Sequence, residues 1–149
     1  MRHLLLSALH WLDGLRGAAP SRKPQRLLFL QYQTAVGSAV HATPMFEAIK
    51  RAAPECHIAV ACSGITYDVF RHNPHIDEVI MTRHAFRNFF GALKDFLWIR
   101  FNRPRYDVAL TDYANGRTTI ALQGLVAGVK RRVGFTLATE IYHEVLLHD

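Results

Sequence analysis

Gln33, Thr34, Ser38, His41 and Thr43 lie close together just after the apolar run Leu27–Tyr32, with Gly37 the one glycine among them. Their hydroxyl, amide and imidazole groups are the set that hydrogen-bonds a hydroxyl-rich ligand, and a helix starting behind them offers unpaired N–H groups to an anion. A single glycine excludes the Gly-x-Gly-x-x-Gly dinucleotide fingerprint, and with no Gly-Lys-Ser/Thr ending the loop is not a Walker sequence either. A second polar group, Asp112, Asn115 and Arg117, follows the apolar run Tyr106–Thr111. Both groups also read as ordinary turns: Asn115-Gly116 is a turn dipeptide, and Asp112 can satisfy nearby backbone donors.

Other reactive side chains point to less. His72 and His75 flank Asn73-Pro74, and the proline breaks the helical geometry that would put paired ligands on one face, so no metal site is expected. Cys56 and Cys62, with His57 beside the first, fit neither a Cys-x-x-Cys redox pair nor a zinc knuckle; two half-buried thiols in a reducing compartment are expected. Lys130-Arg131-Arg132 precedes a strand and reads as a solvated edge rather than a nucleic-acid patch.

The elements that hold these groups alternate short apolar runs with longer helical periods, the pattern of a parallel sheet with crossover helices. Strands are expected over Leu27–Tyr32, His57–Ala61, Asp77–Thr82, Tyr106–Thr111 and Arg132–Phe135. The first helix runs either from Ala39 to Ala53 or from Thr43 as N-cap, which would put Pro44 in its first turn. Further helices are expected from Ser63-Gly64 to Arg71, from Phe86 to Asn102 and from Thr118 to Gly128. The third carries Phe89, Phe90, Leu93, Phe96, Leu97 and Ile99, a stripe that reads as core. If the strands are parallel, the loops after the first and fourth face one crevice at their carboxyl ends.

The chain has 149 residues, half of them hydrophobic, enough for one core and near the usual size of one domain. Its formal charge of +6 favours acidic partners such as phosphorylated sugars, anionic lipid or nucleic acid, without choosing among them. Met1-Arg2-His3 and the leucines after it imitate a signal peptide, but His10, Asp13 and Arg16 interrupt the apolar run. Leu5, Leu9, Leu12 and Leu15 share a helical face, so residues 1–25 read as an amphipathic, membrane- or partner-facing helix and a Pro/basic linker. The body then spans 26–149.

In their order and spacing, Gln33–Pro44, Asn73–Ile80, Tyr106–Asp112, Asn115–Thr118 and Lys130–Phe135 resemble the N-terminal half of the family 9 glycosyltransferases, the heptosyltransferases of lipopolysaccharide core assembly. The resemblance implies a Rossmann-like α/β/α domain with a mostly parallel sheet, the acceptor side of a GT-B enzyme. It implies an inverting, metal-independent transfer with no cofactor, the donor being a nucleotide-sugar such as ADP-heptose held by a second domain that this chain lacks. A glycan or lipid-linked sugar is the implied acceptor, Gln33, Thr34, Gly37, Thr43, Asp112, Asn115 and Arg117 its implied contacts, and the cytoplasmic face of the inner membrane the implied location.

In that family the residue after the loop glycine is a carboxylate acting as base on the acceptor hydroxyl. Here Ser38 stands in its place. A serine hydroxyl does not take up a proton near neutral pH, so the base would be His41 or Asp112; His41 ranks first because imidazole is suited to the task and lies one helical turn on. The alternative is a non-catalytic carbohydrate- or nucleotide-binding module that keeps the fold without the chemistry. A nucleic-acid-binding protein is a third and weaker reading.

Overall fold

Leu27–Leu30 and Ile58–Cys62 are apolar without alternation, as strands covered on both faces must be, and they form the middle of a parallel sheet. The computed structural model describes residues 24–31, 35–84, 87–111 and 118–133. Along the chain run β1 (Arg26–Gln31), α1 (Val36–Ala52), β2 (His57–Cys62), α2 (Thr66–Phe70) and β3 (Glu78–Met81). α3 (Phe89–Asn102), β4 (Val108–Thr111), α4 (Thr118–Val126) and β5 (Arg131–Val133) follow. The five strands are parallel in the order β3-β2-β1-β4-β5.

Because strand side chains alternate, β1 serves two cores at once. Leu27 and Phe29 pack with Ala39, Ala42 and Phe46 of α1 and Phe70 of α2, while Leu28 and Leu30 pack with Phe96 and Ile99 of α3 and with Ala127 and Val129 beyond α4. The result is a three-layer α/β/α arrangement. On the first face Phe46 meets Phe29 and Phe70 edge-on, with ring centroids 5.2 and 5.8 Å apart.

Carboxylates fasten the strand starts. Asp107 accepts from the backbone N–H groups of Gln25 and Arg26, at 2.8 and 2.9 Å. Asp77 accepts from the Ile58 amide and from Lys50 Nζ, both at 2.7 Å. Glu78 meets Arg103 Nη2 at 3.0 Å and His57 Nε2 at 3.6 Å. These ties join β1 to β4 and β2 to β3 at the amino edge.

Three sequence expectations need correction. α1 starts at Val36, neither at Ala39 nor at Thr43, and its N-cap is Ala35, so Gly37 belongs to the first helical turn and Pro44 to the interior. The helix absorbs the proline because Thr43 Oγ1 donates 2.7 Å to the carbonyl of Val40, the acceptor that the missing Pro44 N–H would have served. The α3 stripe is only partly core: Ala92, Phe96 and Ile99 are buried, whereas Phe89, Phe90 and Leu97 are exposed. Arg132 is no solvated edge but 1 % exposed, with Nη1 donating to the carbonyls of Val129 at 2.9 Å and Lys130 at 3.4 Å.

Smaller differences are end effects: β3 starts at Glu78 and β4 at Val108, while Asp77 and Asp107 just before them donate their backbone N–H groups to the carbonyls of Ile58 and Arg26 at 3.0 and 2.8 Å. Cys56 and Cys62 are free and fully buried rather than half-buried. Of the amphipathic helix and linker expected over 1–25, residues 1–23 lie outside the described residues.

Candidate functional site

All five carboxyl ends emerge at one edge, and along it the direction of crossover reverses once. From β1 the chain moves to β2 and β3 on one side; β4 and β5 then continue on the other. β1 and β4 are hydrogen-bonded neighbours, with Leu27 opposite Val108 and Leu30 opposite Thr111. Open α/β sheets hold their ligands at such a reversal, since the loops on either side turn away from each other and leave a crevice. The two polar loops singled out in the sequence leave these two strands.

The strand ends bring polar groups to that edge. Gln31 closes β1 and Thr111 closes β4, 0 % and 4 % exposed. Buried amide and hydroxyl groups at the floor of a crevice are paid for only by hydrogen bonds, so both positions are committed to polar contacts. No motif marks them in the sequence, but they are the polar residues that end apolar runs, and that signal was available. Cys62 closes β2, and Ser63 and Gly64 follow it, where Gly64 takes φ +65° to turn the chain into α2.

α1 enters from the β1 side. Its N-cap residue, Ala35, makes no side-chain cap hydrogen bond, and its first turn holds no acidic residue, so α1 itself supplies no carboxylate to the positive end of its dipole. A Cβ added to Gly37 would meet no atom within 4 Å, so packing does not require glycine there. His41 is exposed and Ser38 half-buried, and because both are helical, their spacing of three puts them on one face. Thr43, about two turns from the helix start, has its hydroxyl proton engaged by Val40 and is half-buried.

Gln33 and Thr34, and Asp112, Asn115 and Arg117, lie outside the described residues. Ser38, His41, Gly37 and Thr43 are thus the expected site residues that the structure locates, all on α1. His84 follows β3, two strands from β1, and so stands away from the β1/β4 crevice. Burial and the nearby Arg87 guanidinium push its imidazole below the usual histidine range.

Among the described residues no group of three or more His, Cys, Asp or Glu side chains is placed to hold a metal ion. His72 instead meets the Asp68 carbonyl through Nδ1 at 3.2 Å, and the His75 amide donates to Asn73 Oδ1 at 2.9 Å.

No family model and no curated protein sequence matches the chain. Solved structures do match. The glycosyl transferase family 9 protein from Veillonella parvula DSM 2008 superposes with a TM-score of 0.62 at 18 % identity, over 74 % of this chain and 32 % of that one. E. coli ADP-heptose LPS heptosyltransferase II superposes with a TM-score of 0.64 at 20 % identity, over 82 % of this chain and 33 % of that one. The chain spans about a third of the length of these structures. At these identities the likeness is one of fold, and the fold is shared with family 9 glycosyltransferases.

Proposed function

We propose that this chain is the acceptor-binding part of a heptosyltransferase-like glycosyltransferase, with its site in the crevice between β1 and β4. The observation that carries the reading is the reversal of crossover between these strands, whose carboxyl ends lead in the sequence into its two polar groups. The fold shared with two family 9 structures supports the same reaction class.

In this reading α1 does two jobs. Its first turn, exposed at Gly37 and without an acidic residue, receives a phosphate or hydroxyl of the acceptor through backbone N–H groups. His41, on the same face as Ser38, accepts the proton of the acceptor hydroxyl as its oxygen attacks the anomeric carbon of the donor. The carbon–oxygen bond to the nucleoside diphosphate breaks as the new glycosidic bond forms, and the anomeric centre inverts. Asp112, Asn115 and Arg117 complete the acceptor contacts from the β4 side, with Gln33, Thr34 and Thr43 on the other.

The donor, a nucleotide-sugar such as ADP-heptose, is held by a second domain. A lipopolysaccharide-type acceptor places the protein at the cytoplasmic face of the inner membrane, where the basic charge and the leucine face of residues 1–25 favour an anionic surface.

Ser38, at the position of the family carboxylate, favours a second reading: a module that binds the saccharide and transfers nothing. Transfer of a labelled sugar from a nucleotide-sugar to a phosphorylated, lipid-linked acceptor separates the two, assayed with the product of the whole reading frame. The first reading predicts turnover that falls about 100-fold or more in His41→Ala, the usual scale for loss of a general base. Saccharide binding with no turnover supports the module; unchanged turnover in His41→Ala removes His41 from the base role.

A further inference from the structure

We infer that the outer face of α3 docks on an anionic phospholipid surface. The helix is apolar on two opposite sides. Ala92, Phe96 and Ile99 fill the core beneath the sheet, and Phe90, Lys94, Leu97 and Phe101 form a second stripe across from them, with Trp98 beside it. Phe90 is 76 %, Phe101 77 %, Trp98 49 % and Leu97 40 % exposed. A helix apolar on both sides is normally covered on both sides.

The charges around the stripe specify the cover. Arg87, Lys94, Arg100, Arg103 and Arg105 are all exposed on or beside α3; the carboxylates that meet this group are Asp95, which pairs with Arg83 at 2.7 Å, and Glu78, which pairs with Arg103 at 3.0 Å. Arg103 lies over the Trp98 ring, 5.1 Å from its centroid, and Arg100 over Phe101 at 5.8 Å. Aromatic rings with cations at their margins suit the headgroup layer of a bilayer: the rings enter the acyl boundary and the long basic side chains reach back to lipid phosphates.

Lys94 is the deciding residue. It interrupts the apolar stripe between Phe90 and Leu97, where a packed protein interface would bury its ammonium at a cost; a headgroup layer lets it reach phosphate. A second copy of the chain, paired about a two-fold axis, would bring this predominantly basic surface against itself. Since no described helix is long and apolar enough to cross a membrane, the contact is with its surface. This inference stands whether or not a sugar is transferred.

The full chain has two tryptophans, so Trp11→Phe leaves Trp98 as a single reporter on the proposed face. With vesicles of phosphatidylcholine containing about 30 % phosphatidylglycerol, Trp98 emission is expected to move to the blue and to be quenched by brominated acyl chains. Phosphatidylcholine alone should give neither effect. Phe90→Ser, Leu97→Ser and Phe101→Ser together are expected to weaken co-sedimentation about tenfold or more, with an unchanged circular dichroism spectrum. Lys94→Glu with Arg100→Glu, which leaves the apolar core untouched, should abolish it. Leu5→Gln, Leu9→Gln and Leu12→Gln should leave the Trp98 shift in place. The inference is overturned by an unmoved Trp98 spectrum, by wild-type binding in the α3 variants, or by self-association or RNA binding that shifts Trp98 where vesicles do not.

Discussion

The Thr43 hydroxyl donates to the carbonyl of Val40 at 2.7 Å, and that carbonyl is the one that Pro44 cannot serve. One side chain thereby carries α1 across a proline, and the helix extends back to Val36 at the crevice. Ser38 and His41 share a helical face for this reason. Thr43→Val is expected to cost about 0.5 kcal/mol, because the carbonyl is partly open to water. In a Pro44→Ala background, where an N–H is restored, the same change should cost nothing. Urea unfolding of the four proteins gives the coupling directly.

Asp77 makes a pH prediction. Burial raises its carboxyl, but the Ile58 amide and the Lys50 ammonium outweigh that and hold it below the usual carboxylate range. A depressed carboxylate stabilises the fold above its unfolded value, about 3.9, and that stability is lost as the pH falls through the folded value. Asp77→Asn should therefore cost about 1 kcal/mol at pH 7. It should also flatten the fall of urea stability on acidification below about pH 4.

The two cysteines should be silent in the native protein. Burial pushes the Cys62 thiol up to about 12, only partly offset by its hydrogen bond with Thr66, and burial also raises Cys56. Neither should react with a dithiobenzoate reagent within minutes at pH 8 in buffer, and both should react at once in urea. Prompt labelling of the native protein would show that the β2 core opens locally.

Arg132 is packed as a core residue. Its stem also lies under Gly124, where an added Cβ would come within 3.3 Å of Cδ. Arg132→Ala is expected to destabilise by about 3 kcal/mol, through the cavity and the carbonyls left without a donor. Lys130→Ala, two residues away and exposed, should cost less than about 0.5 kcal/mol.

Arg132 also shows where sequence reading stops. The alternation of elements and the parallel sheet were legible, because unbroken apolar runs such as Ile58–Cys62 have to be covered on two faces. That the runs closed by Gln31 and Thr111 end at one edge was legible, because parallel strands share a carboxyl edge. Composition did not reveal that an arginine in a basic run is turned inward to cap carbonyls, nor that a threonine before a proline keeps a helix intact. Both depend on single hydrogen bonds. The α3 stripe misled for a different reason: helical period marks an apolar face without saying which neighbour covers it, and Phe90 and Phe101 lie across from the side that meets the sheet.

The central claim is that the β1/β4 crevice binds a phosphorylated saccharide through the start of α1, and amide chemical-shift mapping tests it most directly. Titration with a phosphorylated core heptoside should move the resonances of Val36–His41 and of residues 112–117, while Asp77, Glu78 and Asp107 at the opposite edge stay still. Saturating shifts confined to that amino edge, or none at millimolar ligand, would contradict the account.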